Sequence, residues 1–354
     1  MINQDSQILL SKIKPELLEQ FIKLQRRNIG VYSIISLAPP IFYVARYFSE
    51  ISNFTQSFQI LFDYLKNQKA YFLYAHDSPF SIEETKAVAQ LEQEHHRLYP
   101  NFEFIHLCNY DQQIEFFNQL DLKTIFCNHN AMIDENIFKP LSSEKKYDAV
   151  YDARLQPFKR HYLATQLKSV GLIYYSVPIK DELKYIENIG ETFRHAVFFN
   201  HLENGQYNIL NAEEVNTCLN QCRVGLCLSE WDGAQYASIQ YLLAGLPVVE
   251  TKSHGGRDVF FDQEYTIRVE PTVESVAKGV EEMIKRNIPP DYIHQKTLEK
   301  MQVHRQNFIS LIQEIYEQNG INQNFSDKWS KIFFNRLVRN QHHVDTIELL
   351  KNFQ

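Results

Sequence analysis

The sequence predicts an α/β protein of two doubly wound domains, on three observations. Short apolar runs alternate with segments of helical period along most of the 354 residues, which is the pattern of parallel strands joined by crossover helices. From Cys222 to Asp258 the order strand, loop, helix, strand, Gly-Gly loop runs without interruption. Glycine is also unevenly spread: of the 11 glycines only Gly30 precedes Lys146. The amino-terminal half therefore lacks the Gly-x-Gly-x-x-Gly turn of a dinucleotide fold, and the ligand-binding loops belong to the second half.

Taken in order, the apolar residues between Ser6 and Gln25 suit amphipathic helices broken near Pro15. Val31 to Leu37 reads as a strand running into a loop at Pro39-Pro40. Helix Phe54–Asn67 and strand Ala70–Ala75 follow, the strand ending in His76-Asp77. The alternation continues with helix Ser81–Leu98, strand Phe102–Leu107, helix Asp111–Leu120 and strand Thr124–Cys127. The polar stretch Ser142 to Lys146 suits a hinge, so a first domain is expected over 1–145 and a second over 146–290. The second opens with strand Ala149–Tyr151, helix His161–Ser169, strand Ile173–Val177, polar helix Asp181–Ile189 and strand Ala196–Asn200. Asn211 and Glu214 stand at capping-box spacing before helix Val215–Gln221. In the central block, Val224–Leu228 is a buried strand, Asp232-Gly233 a loop, and Tyr236–Ala244 a helix that Gly245 ends and Pro247 forbids from continuing. Val248-Val249 is the next strand, and His254-Gly255-Gly256 a turn whose glycines allow close backbone approach. Strand Tyr265–Val269, helix Pro271–Ile284 and a helical, aromatic, locally basic tail over 291–354 complete the chain.

Composition narrows the function classes. A hydrophobic share of 44% is ample for two cores, and a net charge of -7 argues against a general nucleic-acid binder. The 5 cysteines are scattered, and Cys218 and Cys222 lack a second ligand pair, so reduced buried thiols are expected. The adjacent pairs His95-His96 and His342-His343 point in different directions on a helix and do not suit a metal. The first residues carry Asp5 and Glu16 and no long apolar core, so neither a leader peptide nor a membrane span is expected there. The expected compartment is cytoplasmic, with the inner face of the membrane as the setting if the tail binds lipid.

In the central block Ser229, Asp232-Gly233, Gln240, Ala244-Gly245, Pro247-Val248-Val249 and Gly255-Gly256 fall in an ungapped register. At these residues the chain resembles the group 1 glycosyltransferases, the large retaining family 4 of the GT-B fold. The departures are Asp232 and Gln240, which stand where that family has two glutamates. Asn128 to Pro140 is similar to the family's link between domains, with Ala131 in place of its glycine. Arg154-Leu155 followed by Lys159 looks like its Gly-Arg-Leu strand end with the later lysine.

The resemblance implies two Rossmann-like domains facing across a cleft, with a nucleotide-sugar donor on the second domain and a hydroxyl acceptor, a glycan or a lipid-linked one, mainly on the first. It implies transfer with retention, no covalently bound cofactor and no metal; no Asp-x-Asp motif occurs in the chain. Arg154 and Lys159 would hold the diphosphate, one as a fork and the other as a point charge. Asp232 would orient the sugar hydroxyls, Gly233, Ala234, Gly255 and Gly256 would line the donor, and Gln240 would take the ribose position. His201 is a candidate for the base, against a histidine satisfied by solvent. His76 is a candidate for the donor sugar, against a strand-cap histidine. The tail would pack back across the first domain or lie on a membrane surface. Two other functions fit the same fold: a sugar-nucleotide epimerase, and a non-catalytic protein that binds a nucleotide or a partner transferase.

Overall fold

The computed structural model describes residues 29–45, 51–76, 78–175, 196–201 and 207–353, together with Tyr185, Ile189, Thr192 and Phe193. The helices expected over 6–25, and most of the one expected over 181–189, lie outside the described residues.

The first sheet has six strands in the order β12-β1-β2-β3-β4-β5. Its elements are β1 (Ile29–Leu37), β2 (Pro40–Ala45), α1 (Ile51–Leu65), β3 (Ala70–Ala75), α2 (Ile82–Leu98), β4 (Phe102–Cys108), α3 (Asp111–Asn118), β5 (Thr124–Phe126) and, from the far end of the chain, β12 (Arg339–His342). Strands β2 to β5 are parallel, and β1 pairs antiparallel with both β2 and β12. The expected loop at Pro39-Pro40 is instead a tight hairpin, with Leu37 opposite Pro40. Pro40 is tolerated because it is the first residue of its strand, where a missing N–H is least costly. The apolar run behind it is then free to form β2.

Side-chain parity divides this sheet cleanly. Phe42, Val44, Phe72, Tyr74, Phe102 and Phe104 pack with Phe58, Leu61, Phe62 and Leu91 of α1 and α2. The opposite face carries Ile41, Tyr43, Tyr71, Leu73, Ile105 and Leu107, all buried. The crossover helices all lie on the first face, so this second apolar face must find cover elsewhere. It is covered by Phe308, Leu311, Ile312, Ile315 and Tyr316 of a carboxyl-terminal helix, with Phe325 and Leu337 beyond it. Trp329, Ile332 and Phe333 pack against the same cluster, so the aromatic stripe of the tail is a packing surface for the sheet.

The second sheet is parallel throughout, in the order β11-β10-β9-β6-β7-β8. Its elements are β6 (Tyr147–Asp152), β7 (Val170–Ile173), β8 (Val197–Phe198), α4 (Ala212–Asn220), β9 (Cys222–Cys227), α5 (Tyr236–Leu243), β10 (Val248–Thr251), β11 (Thr266–Val269) and α6 (Val273–Arg286). The Asn211 and Glu214 capping box closes the start of α4 in both directions. The expected helix His161–Ser169 shrinks to a 3-10 turn over His161–Ala164, entered through Arg160 at φ 52. With that helix shortened, β7 comes at Val170 rather than Ile173. Gly171 is accepted in its interior because the Phe199 ring occupies the place of a side chain.

After α6 come α7 (Pro290–Gln318), α8 (Ser326–Ile332), β12 and α9 (His343–Phe353). The tail is thus not helical to its end, since β12 adds a strand to the open edge of β1. Helix α7 has 29 residues and so spans about 43 Å. Ile293 and Met301 belong to the core of the second sheet, whereas Phe308 to Tyr316 belong to that of the first. One rigid helix therefore ties both units.

At the middle of α7, Arg305 is 3% exposed. It donates to the carbonyls of Ala131 at 2.7 Å and Ile133 at 2.9 Å, and grips both oxygens of Glu135 at 2.8 and 2.7 Å. Burial raises the Glu135 carboxyl, but the Arg305 bonds and charge outweigh it and hold the group below the usual carboxylate range. A depressed acid contributes stability above its unfolded pKa and loses it as pH falls through the folded one. Arg305→Ala is expected to cost about 3 kcal/mol in denaturant unfolding at neutral pH, with the deficit shrinking below the carboxylate range. A cost below about 1 kcal/mol, or a deficit that does not change with pH, would contradict this role.

Candidate functional site

Because β6, β9 and β10 are parallel, the loops after Asp152, Cys227 and Thr251 share one edge of the second sheet, where open sheets gather ligands. In that edge Lys159 Nζ meets Asp232 Oδ1 at 2.6 Å, the two side chains being 10% and 13% exposed. Ser229 Oγ donates to the other Asp232 oxygen. Lys159 also lies 5.0 Å over the Phe158 ring, which stacks on Trp231 at 4.5 Å. The carboxylate is held from two sides, and a cation is fixed beside the cleft.

Beneath this pair lies Arg257, buried at 1% exposure. Its guanidinium donates to the carbonyl of Ser229 at 3.0 Å, to Ser229 Oγ at 2.8 Å and to the Thr251 carbonyl. It stands 3.5 Å from Glu250 and 3.9 Å from Asp232. Burial raises the Glu250 carboxyl, opposed by Arg257 and Arg268. Arg257 thus joins the ends of β9 and β10. It was missed in the sequence, although it directly follows the Gly-Gly pair.

The glycines act by omission. Gly255 has φ 118, and a Cβ there would fall 1.7 Å from the Asp232 carbonyl oxygen. A Cβ on Gly256 would fall 2.7 Å from the Asn109 carbonyl, which belongs to the first unit. The Gly256 N–H donates to the Gly233 carbonyl, so that amide is engaged within the loops rather than offered to a ligand. Asp232 N donates to His254 O at 3.0 Å and His254 N to Glu230 O at 3.3 Å, zipping the two loops together. The first unit reaches the same loops through Asn128 Nδ2, which donates to Asn109 O at 3.0 Å and Gly256 O at 2.8 Å, and through Asn130, which donates to the Ala234 carbonyl.

A cavity of about 420 Å³ opens between the units, lined among others by Ala75, His129, Asp232, Gln235, Tyr236 and Arg336. His129 Nδ1 donates to the His76 carbonyl at 3.0 Å, and the ring lies 4.9 Å from Tyr236. The expected His76 is placed differently. It shares parity with Phe72 and Tyr74, so its ring turns to the helix face, among Phe80, Phe117 and His106, and burial pushes its pKa well down. His76 is a core histidine here and His129 the one in the cavity.

The other expected residues divide. Arg154 stands exposed in the loop that carries Lys159. Gly233, Ala234, Gly255 and Gly256 gather around Asp232. Gln240 is 3% exposed within α5, outside the cavity lining. His201 lies beyond β8 at the far edge of the sheet, hydrogen-bonded to Tyr174 at 2.6 Å and stacked on Phe198. Asp152, at the end of β6, was not singled out. Burial pushes its carboxyl up to about 7, against the lowering pull of Arg336 and Lys159. A raised acid contributes stability below its unfolded pKa and loses it as pH rises through the folded value. Relative to the wild type, Asp152→Asn is therefore expected to gain stability as pH rises from about 4 to about 7 and to level off beyond. A thermal-unfolding difference that is flat from pH 4 to pH 8 would remove Asp152 from this account.

No protein-family model and no curated protein matches the chain. Among solved structures it is similar to sucrose-phosphate synthase from Thermosynechococcus elongatus, with a TM-score of 0.56 at 12% identity over 78% of this chain and 73% of that one. It is also similar to Anabaena HepE in complex with UDP, with a TM-score of 0.52 at 13% identity over 86% of this chain and 84% of that one. The HepE complex with UDP-glucose gives 0.51 at 14% identity over 82% and 78%. With two parallel-rich α/β sheets facing one cleft, the chain has the two-domain fold of the GT-B glycosyltransferases.

Proposed function

We propose that this protein transfers a glycosyl group from a nucleotide-diphosphate sugar to a hydroxyl acceptor, with retention of configuration and without a metal ion. The observation that carries the reading is the Lys159 and Asp232 pair, fixed at the carboxyl ends of parallel strands, with Asp232 on the wall of the cavity between two α/β units. The solved complexes of Anabaena HepE with UDP and UDP-glucose, on a similar fold, support a nucleotide sugar as the donor.

In this reading the donor lies along the loops after β6, β9 and β10. Lys159 stabilises the charge that develops on the departing diphosphate, a preorganised cation acting where water is excluded. Arg154, exposed on the same loop, closes onto the diphosphate from solvent. Asp232 accepts from the sugar hydroxyls with the oxygen lone pairs that Lys159 and Ser229 leave available. In front-face transfer a phosphate oxygen of the leaving group takes the acceptor proton, which keeps atoms and charge in balance without a protein base. A non-catalytic nucleotide-binding protein is the second reading. It is favoured by Gln240, whose amide is buried at the position where the similar family has a ribose-binding glutamate.

Assay of a panel of nucleotide sugars for transfer and donor hydrolysis separates the two, since the second reading expects binding without turnover. Within the first, Arg154→Ala is expected to weaken nucleoside diphosphate binding by about one to two orders of magnitude, as the loss of one charge-assisted contact implies. Lys159→Ala is expected to lower kcat more than donor affinity. Calorimetry showing unchanged affinity for the first variant, or unchanged turnover for the second, would sink the corresponding role.

A further inference from the structure

The cavity wall on the side of the first sheet is cationic, and its cations come from the tail. The turn before β12 and β12 itself place Arg336, Arg339 and Asn340 across the cavity from Asp232 and Gln235. Arg336 has φ 69 and Leu337 φ 48, two successive residues in the left-handed region that side chains disfavour. The strain sets the Arg336 guanidinium 4.4 Å over the Tyr236 ring. Its Nε is buried with no hydrogen-bond partner. Across the same cavity, the nitrogen and the oxygen of the Gln235 amide are both buried and without partner, on a backbone at φ 36. Buried polar atoms are normally paired, so unpaired ones on strained residues lining one cavity mark a place for a ligand.

The charges around the cavity decide the sign of that ligand. Asp232 is already paired with Lys159 and bonded by Ser229. Asp152 and the Tyr175 hydroxyl face Arg336 from the second sheet, and Tyr175 accepts a hydrogen bond from it. Arg339 lies exposed at the rim, over the Phe334 ring at 3.9 Å. A neutral sugar offers a guanidinium only single hydroxyl acceptors and no opposite charge, whereas a phosphate or carboxylate takes paired N–H donors in a plane.

We infer that this tail-built wall is an anion subsite for the acceptor, and that the acceptor carries a phosphate or carboxylate group held by Arg336, with Arg339 at the rim and Gln235 opposite. The inference rests on the glycosyl-transfer reading for the word acceptor, and on the cavity alone for the anion.

The test titrates glucose 6-phosphate, glucuronate and glucose into protein saturated with UDP and into protein without nucleotide. At least one charged sugar is expected to bind about tenfold or more tighter than glucose. Arg336→Gly, which suits the positive φ, and Arg339→Gln are each expected to remove most of that preference while leaving UDP affinity within about twofold. If neither charged sugar is preferred over glucose, or if both variants keep the preference, the anion subsite is overturned. If Arg336→Gly weakens UDP as much as the charged sugar, Arg336 serves the donor diphosphate and the assignment to the acceptor is overturned. Failure of the wild type to bind UDP or any other nucleoside diphosphate would count against glycosyl transfer instead, and the arm without nucleotide would still decide whether the anion subsite exists.

Discussion

The first sheet is apolar on both faces, and its crossover helices cover only one of them. Tyr43, Tyr71, Leu73, Ile105 and Leu107 would face water if the chain stopped after the second sheet. Each large side chain of this kind gains about 1.5 to 3 kcal/mol on full burial, so a bare face of five would forfeit an amount comparable to the whole margin by which domains are stable. Helix α7 supplies the cover, and because its first half is already buried against the second sheet, the same helix fixes how the two units meet. The cleft is therefore a consequence of how the first sheet closes.

Closure has a second consequence at the cleft edge. Having crossed the sheet, the chain must turn back to reach β1, and it does so through Arg336 and Leu337 at positive φ. β12 then pairs with β1 over Ile29 to Tyr32 and caps an edge that would otherwise be open to pairing with other chains. Packing, edge protection and the cationic wall come from one run of chain. Arg305 secures that run to the segment between the sheets by bonding Ala131, Ile133 and Glu135 together.

What could be read in the sequence follows from how local each cause is. The block around β9, α5 and β10 was legible because Gly245, Pro247 and the Gly-Gly pair punctuate it and its apolar runs are fully buried. Gly255 was legible as a place of close approach, but not the partner it approaches, the Asp232 backbone. β2 was hidden by Pro39-Pro40, which has the composition of a loop. β12, Arg-Asn-Gln-His, has no apolar alternation at all, and only the free edge of β1 makes it a strand. His76 shares its parity with Phe72 and Tyr74, a signal that was present but could not be used until one face of the sheet was known to carry the helices. Arg257 and His129 gave no pattern, since each owes its place to loops that meet only in the folded chain.

The same distinction separates the two walls of the cavity. The wall on the second sheet is built from loops between Asp152 and Arg257, whose chemistry is nearly self-contained: Lys159 answers Asp232, and Arg257 joins Ser229, Thr251 and Glu250. A shorter Asp in place of the similar family's Glu suits this wall, because the absent Cβ of Gly255 lets the Asp232 backbone pack against the Gly-Gly turn while the carboxylate still reaches Lys159. The opposite wall draws on Val31, Ala45, Ala75, His129 and the segment from Arg336 to Asn340. No single stretch contains it, and its charge is not balanced within itself. Charges paired within one wall weigh little on the sign of a ligand, whereas guanidiniums on a wall that carries no acid of its own favour an anion. The charge of that wall therefore comes from the part of the cleft that the tail completes.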